Sequence, residues 1–220
     1  MALFSSRDSI RCFYLLSQIA LLTALACAAQ LPPIVDSRPV APREAALKKV
    51  AVAPLVPGPS LDGSLTRGSS GQQETTGLVA SFLSDALASR GIRVVTPGEF
   101  GALLAGTDGG PSDPVAAAKL AADRFDATGV LLGTLQRYRD LEGNSRSTAS
   151  PASVAFEVTF YAAPSGKKLW TARFNETQHS LNERPLDASR YPGGGTRWLT
   201  AAELARWGAD AIVQSLAGGP

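Results

Sequence analysis

The sequence predicts an α/β fold, with helices packed on a mixed sheet of about five strands in the order β-α-β-α-α-β-β-β-α. Short valine-rich runs alternate with stretches whose apolar residues recur every three to four positions, which indicates strands alternating with helices. Two later runs alternate between apolar and polar residues, as the strands of an antiparallel hairpin do. With 220 residues, of which 45% are hydrophobic and 18% charged, the chain suffices for one medium-sized domain and an extension.

The first half of the domain supplies two strands and the helix between them. Residues 50–56 form a strand that stops at Pro57-Gly58-Pro59. A loop rich in Gly, Ser and Thr is expected over residues 60–73. Gly91 can adopt the left-handed conformation that ends the helix, and residues 92–95 form the second strand. The helix is indicated by apolar residues at Leu78, Val79, Phe82, Leu83, Ala86 and Leu87.

Two helices and a third strand come next. Thr96 can cap a short helix in which Pro97 needs no amide partner and Glu99 closes a capping box. Another helix opens at Ser112-Asp113-Pro114. The strand over residues 129–138 begins as a continuous apolar run, which favours a central position covered on both faces.

A hairpin and a final helix complete the domain. Residues 154–161 and 169–177 are the two strands, joined by turn residues 163–166. Thr200 and Glu203 fit a capping box. The helix that follows carries one apolar stripe, formed by Leu204, Trp207, Ala211, Ile212 and Leu216.

Residues 1–26 have the layout of a secretory signal peptide. Arg7 and Arg11 precede an apolar stretch that ends in small residues at positions 24–29. The stretch is shorter than the roughly 20 residues that a membrane-spanning helix needs, and Pro32-Pro33 follows it. A buried N-terminal helix is the alternative, but no cap and no polar face at helical spacing support it.

Cys27 determines whether the predicted signal peptide ends in lipidation or in ordinary cleavage. Ala24-Leu25-Ala26-Cys27 resembles a bacterial lipobox, in which the cysteine becomes the lipidated first residue, although Ala24 and Leu25 stand exchanged relative to the usual pattern. Cleavage after Ala26 or Ala28 without lipidation would instead release a soluble exported protein. The proline-rich residues 27–46 predict an extended tether, and residues 47–220 the α/β domain.

Composition excludes several classes of function. The 21 Lys and Arg residues against 19 Asp and Glu give a net charge of +2, which leaves no basic excess to hold a nucleic acid. Two cysteines and one histidine supply neither a four-ligand zinc site nor a disulfide framework. The glycine clusters at 108–110 and 193–195 lack the spacing of phosphate-binding loops, so no cofactor is expected.

A partner surface is the first candidate site. Arg137, Tyr138 and Arg139, together with Lys167-Lys168 of the hairpin, could form a basic and aromatic surface toward a partner or anionic headgroups. A solvated sheet end is the alternative interpretation. The three tryptophans, Trp170, Trp198 and Trp207, are expected to fill core space, and Trp198, beside the glycine run, is the candidate among them for an exposed anchor.

His179 supports a second hypothesis, a soluble exported hydrolase. Ser180 adjoins the histidine, and Glu176 and Asp187 lie nearby in sequence. A Ser-His-Asp site also needs a nucleophile on a sharp turn and an oxyanion hole, and no G-x-S-x-G motif occurs. A surface or packing role is the alternative for this lone histidine.

Three segments together carry a family resemblance: Val50-Ala51-Val52-Ala53-Pro54-Leu55, Val130-Leu131-Leu132-Gly133-Thr134-Leu135 and Lys168-Leu169-Trp170. Through them, residues 50–216 resemble the bacterial envelope lipoprotein superfamily that includes the curli secretion lipoprotein and the penicillin-binding-protein activator LpoB. The cysteine near the end of the signal adds to the match. Residues 195–206 are similar to the closing segment of uncharacterised lipoproteins of this kind.

The resemblance implies a membrane-anchored protein that acts without catalysis. It would bind, assemble or regulate other cell-envelope proteins, and self-association is a further contact of this kind. Its implied location is the periplasmic side of a bacterial membrane, the outer membrane by preference, with lipid on Cys27 as the anchor. The matched segments are framework elements and carry no catalytic residues.

Overall fold

The computed structural model describes residues 34–59, 61, 69–107, 112–180, 182–183 and 190–218. The chain separates into two units, Met1–Pro32 and Pro33–Pro220, and all described residues belong to the second. The predictions of a signal peptide and of lipidation at Cys27 therefore lie outside the described residues.

The described residues form nine strands, four α-helices and one short 3-10 helix, Glu44–Leu47. The helices are α1 (Ser69–Ser89), α2 (Pro97–Leu104), α3 (Pro114–Phe125) and α4 (Ala201–Ala217). The strands are β1 (Val35–Pro39), β2 (Lys49–Val52), β3 (Val56–Pro57), β4 (Arg93–Val95), β5 (Gly129–Arg139), β6 (Glu142–Gly143), β7 (Thr148–Ser150), β8 (Ser153–Ala162) and β9 (Lys167–Thr177).

A seven-stranded mixed sheet forms the centre of the domain. Its strand order is β1-β9-β8-β5-β2-β4, and β3 also pairs with β5. Strands β4 and β5 run parallel to β2, whereas β8 is antiparallel to both β5 and β9, and β1 is antiparallel to β9. Strands β6 and β7 form a separate two-stranded sheet.

The α/β class is confirmed, and the number of strands is corrected from about five to seven. The additional strands of the main sheet, β1 and β3, are short and contain Pro39 and Pro57. The structure divides the single strand predicted over residues 50–56 into β2 and β3, whereas β1 was not predicted, because proline interrupts the alternation that marks a strand.

The predicted capping boxes are confirmed at the starts of α2 and α4. Thr96 accepts a hydrogen bond from the Glu99 amide, and the Glu99 carboxylate accepts one from the Thr96 amide. Thr200 and Glu203 make the same reciprocal pair. Each pair satisfies amides that the first helical turn leaves without a partner.

Helix α1 begins at Ser69, inside the segment that the sequence predicted as a loop. Its first two turns carry Gln72, Gln73, Glu74 and Thr75 instead of a run of apolar residues. Apolar periodicity therefore marked only the later part of this 21-residue helix.

Part of the segment expected to be a tether belongs to the folded domain. Strand β1 pairs with β9 from Val35 to Pro39. The side chain of Arg43 is buried, and its Nε donates a hydrogen bond of 2.7 Å to the carbonyl of Leu216 in the last turn of α4. The folded part of the chain thus begins before residue 47.

Two apolar clusters lie on opposite faces of the sheet. Helices α1 and α4 cover the larger one, the main core, which runs from β2 across to β9 and includes Phe156, Trp170 and Phe174. Helices α2 and α3 cover the smaller one, over β2, β4 and β5. On the face that carries α2 and α3, these helices leave β8, β9, β1 and the end of β5 uncovered. We call this uncovered surface the open face.

A candidate partner surface on the open sheet face

The open face carries polar side chains in rows that run from β5 to β1. Two neighbouring rows are Thr134–Glu157–Arg173–Asp36 and Thr159–Thr171–Arg38. Glu157, Arg173 and Asp36 are exposed, and the Thr159 and Thr171 hydroxyls hydrogen-bond at 3.2 Å. A sheet with one solvated face alternates apolar and polar residues in this way. The polar positions of β8 and β9 therefore mark a hydrophilic surface.

Arg137 lies across β8 at the end of this surface. Its Nε donates to Ser153 Oγ at 2.7 Å, and its Nη2 donates to Asn175 Oδ1 of β9 at 2.6 Å. Ala155, the residue paired with Arg137 in the sheet, is buried and too small to block this path. Both hydrogen-bond partners are neutral, so the guanidinium is fixed in place, and no carboxylate among the described residues bonds to it.

Neighbouring arginines make this position more positive. Burial lowers the pKa of the Arg137 guanidinium, and the like charges of Arg139 and Arg173 lower it further, against an opposing effect of Glu176. A cavity of about 350 Å³ adjoins Arg137 and Arg173 on this face. A negatively charged group placed there would relieve the repulsion between the guanidinium groups.

Tyr138 points to the other side of the sheet. It is half-buried against the main core, and burial, reinforced by Asp140, raises its pKa to about 12. In a strand, successive side chains alternate between faces, so Arg137 and Arg139 share the open face and Tyr138 does not. The predicted group of three residues is thus divided between two faces.

Lys167 and Lys168 lie at the opposite end of the sheet from Arg139. Lys168 pairs with Tyr161 and Lys167 with Ala162, whereas Arg139 pairs with Ser153 at the other end of β8. The hairpin lysines therefore do not extend the arginine surface. The residues that do extend it, Arg173 and Asn175, were visible in the sequence only as alternate polar positions of a strand.

Trp198 lies in the loop before α4, at the end of the sheet where β5 and β9 finish. It is half-buried, and its amide donates to the Ser145 carbonyl at 2.9 Å. Together with Arg146, Gln178 and His179 it lines a cavity of about 260 Å³. Trp198 is thus placed beside a surface cavity, whereas Trp170 is buried and Trp207 packs against Phe174 and Tyr191, as predicted for core residues.

Buried hydrogen bonds hold the loop that carries Trp198. The side chain of Gln178 is buried; its Nε2 donates to the Arg197 carbonyl at 2.8 Å, and its Oε1 accepts from the Leu199 amide at 2.7 Å. Asp140 accepts from the Ala201 amide at 2.8 Å, which joins the end of β5 to the start of α4. Each contact crosses between elements, so the loop is fixed on the sheet end.

His179 lies on the same cavity wall, but the described residues around it lack the geometry of a catalytic triad. Its Nδ1 lies 3.9 Å from Glu183 Oε2, and its backbone amide donates to Tyr191 Oη at 3.4 Å. Ser180 Oγ accepts from the Glu183 amide, and no hydroxyl among the described residues bonds to the imidazole. Asp187 lies outside the described residues. A nucleophile needs such a bond to its base.

Neither a metal centre nor a membrane span occurs in the described part of the chain. No group of three or more His, Cys, Asp or Glu residues there is arranged to hold a metal ion. Among the same residues, every helix is too short or too polar to cross a bilayer.

No protein-family model matches the sequence, and no curated protein matches it either. Solved structures similar to this chain include the PelC dodecamer from Paraburkholderia phytofirmans, at 15% identity, 81% coverage of this chain, 94% of that chain and a TM-score of 0.47. Lipoprotein GNA1162 from Neisseria meningitidis shares 19% identity, with 61% and 84% of the two chains covered and a TM-score of 0.38.

The C-terminal domain of LpoB from Salmonella enterica is also similar, at 15% identity, 63% coverage of this chain, 88% of that chain and a TM-score of 0.39. None of these three structures is the curli secretion lipoprotein. All three TM-scores lie below 0.5, so these likenesses establish no function for this chain.

Proposed function

We propose that this protein is a membrane-anchored envelope lipoprotein that acts without catalysis, by binding, assembling or regulating other envelope proteins through its open face. One observation carries the proposal: Arg137 is a positioned cation with neutral partners, on a sheet face that the described helices leave exposed. Such a group suits recognition, because its side chain is already ordered and therefore loses little conformational entropy when a partner binds.

The chemistry of the surface defines the group it would recognise. Arg137 and Arg173 line a cavity together with the carboxylate of Glu157, and the charge of Arg139 also acts on Arg137. Guanidinium groups pair with carboxylates through short, charge-assisted hydrogen bonds. An acidic side chain or a chain-terminal carboxylate of a partner protein fits this surface, and Trp198 on the adjoining sheet end offers an aromatic second contact.

Lipid on Cys27 would hold the domain close to the periplasmic face of a membrane. Only seven residues lie between Cys27 and Val35, the start of β1, so the two residues are at most about 28 Å apart. A partner would therefore be another protein of the same membrane or one that reaches this depth of the periplasm.

Intact-protein mass spectrometry of the membrane fraction tests the anchor. We expect a mature chain that begins at Cys27 and carries acyl chains, and we expect Cys27→Ser to abolish the acylated species. An unacylated product cut after Ala26 or Ala28, found in the soluble periplasm, would refute the lipid anchor while leaving the proposed surface to its own test.

A photocrosslinking amino acid placed at Thr171, on the open face, tests the surface in intact cells. We expect a light-dependent adduct with an envelope protein at this position and none from Ala88, an exposed residue of α1.

A charge variant tests the role of Arg137. Asn175→Asp places a carboxylate beside Arg137 and neutralises its charge, so the yield of the adduct should fall about tenfold. Asn144→Asp adds the same charge in the exposed turn between β6 and β7 and serves as the control.

Two results would contradict the proposal. Equal adduct yields from Thr171 and Ala88 would show that the open face is no specific surface. A phenotype lost in His179→Ala with the fold retained would favour the exported hydrolase, because the proposed surface does not use His179.

A further inference from the structure

A third cavity lies at the carboxyl end of β2, away from the open face. Its volume is about 350 Å³, within the usual range for small-molecule sites. The lining residues come from three places: Pro54, Leu55, Val56 and Pro57 after β2; Gln72, Gln73 and Thr76 of α1; and Gly101, Leu104 and Ala105 at the end of α2.

The topology of the sheet creates this cavity. The connection from β2 to β4 passes through α1 on the main-core side, and the connection from β4 to β5 passes through α2 and α3 on the other side. Neighbouring parallel strands whose connections leave toward opposite faces open a crevice beyond their carboxyl ends. Ligands of open α/β sheets bind at such crevices, so the position itself points to binding.

The lining defines the chemistry of the ligand. Leu55, Leu104 and Thr76 are buried and form the floor. The Thr76 hydroxyl donates to the Gln73 carbonyl at 3.0 Å and keeps its lone pairs as acceptors. No charged residue of the described chain lines the cavity, so a charged ligand would lose its hydration there without an ion pair in return.

Gly101 closes one end of the cavity. A Cβ on this residue would lie 2.6 Å from Pro54 Cγ, so α2 packs its backbone directly on the segment that follows β2. This contact fixes the distance between two of the three walls. The cavity is therefore a formed feature of the packing between α2 and the β2 end.

We propose that this cavity binds a small uncharged molecule with an apolar body and one hydrogen-bonding group. The apolar body contacts Leu55, Leu104 and Pro54, and the polar group meets the Gln72 and Gln73 amides at the rim. The site is separate from the open face and does not depend on the function proposed above.

Fluorescence titration of the full chain with N-phenyl-1-naphthylamine, an uncharged probe, tests the site. We expect saturable enhancement, and we expect the anionic analogue 8-anilinonaphthalene-1-sulfonate to bind at least about tenfold more weakly. Absence of saturable enhancement by the uncharged probe would overturn the proposal. Equal or tighter binding of the sulfonate would overturn the uncharged class of ligand.

Two pairs of variants locate the probe. Ala105→Trp fills the cavity and should weaken binding at least about tenfold, whereas Ala102→Trp, on the same helix outside the lining, should leave it within about twofold. Gln73→Trp and Glu74→Trp repeat the comparison on α1, so that the test survives if one variant fails to fold. Equal affinities within both pairs would place the probe elsewhere and refute the site.

Discussion

At the start of α4, the carboxylate of Glu203 serves two partners. Its two oxygens accept from Arg197 at 2.7 and 2.9 Å, and Oε2 also accepts from the Thr200 amide at 2.9 Å. The hydrogen bond from Arg197 is the main cause that lowers the pKa of Glu203 to about 2, and the Thr200 amide adds to it against the opposing effect of burial. One side chain therefore ties the Trp198 loop to the helix that follows.

Glu203→Gln should destabilise the protein in a pH-dependent way. Because the folded pKa is depressed, the carboxylate contributes stability above its unfolded pKa of 4.5, and this contribution is lost as the pH falls toward about 2. We expect a loss of about 1 kcal/mol at pH 6 and a smaller loss at pH 3, measured by urea denaturation. Glu142→Gln, in the exposed β6–β7 sheet, is the control; a loss that is equal at both pH values would disprove the linkage.

Arg43→Ala tests the contact between the N-terminal segment and α4. The Arg43 side chain is buried and donates to the Leu216 carbonyl at 2.7 Å and to the Ser215 carbonyl at 3.4 Å. Removing it leaves helix-end carbonyls buried, so the free energy of unfolding should fall by about 2 kcal/mol. Arg38→Ala, at an exposed position of β1, should change it by less than about 0.5 kcal/mol. Comparable effects of both variants would argue against the buried contact.

At the scale of elements, two helical glycines should respond to alanine in opposite ways. A Cβ on Gly208 of α4 would lie 2.7 Å from ring atoms of Phe174, a fully buried residue, whereas a Cβ on Gly77 of α1 meets nothing within 4 Å. Gly208→Ala should cost about 1–3 kcal/mol. Gly77→Ala should stabilise by about 0.5–1 kcal/mol through helix propensity. Thermal unfolding of both variants checks the signs, and a stabilised Gly208→Ala would show that the ring can move aside.

Local signals in the sequence predicted the elements that depend on local chemistry. Thr96 and Thr200 each precede a glutamate by three residues, which is enough to start a helix, and Gly91 ends α1 with a φ of 76°. Strand β1 escaped prediction because its partner β9 lies more than 130 residues away in the sequence and Pro39 interrupts the pattern. A strand that is defined mainly by its pairing with a distant segment cannot be predicted from its own residues.

The partner surface was predicted in part for the same reason. Arg137 and Arg139 were identified, but their separation from Tyr138 required the side-chain alternation of a paired strand. Arg173 and Asn175 join Arg137 only because β9 lies two strands from β5 in the sheet. Strand order is a property of tertiary structure, so residue spacing alone gave no signal for this juxtaposition.

At the scale of the whole molecule, stability should be highest at the centre of the sheet. Strands β5 and β8 have neighbours on both sides, and the main core packs against them, whereas β1 has a single neighbour in the described chain. Hydrogen exchange followed by mass spectrometry should find the slowest amides in β5 and β8 and faster exchange in β1. Equal protection of β1 and β8 would indicate that another segment or a second copy covers this edge.

The register shift between Leu135 and Arg137 has a consequence for the entire surface. It gives β5 one extra residue, Gln136, relative to β8. If Gln136 were paired with Ala155 in a regular ladder, Arg137 would lie opposite Val154 and face the main core, and Tyr138 would face solvent. Drawing Gln136 into the ladder opposite Ala155 would therefore hide the cations and expose the phenol, whereas deleting Gln136 would leave Arg137 opposite Ala155 and keep the cations on the outside.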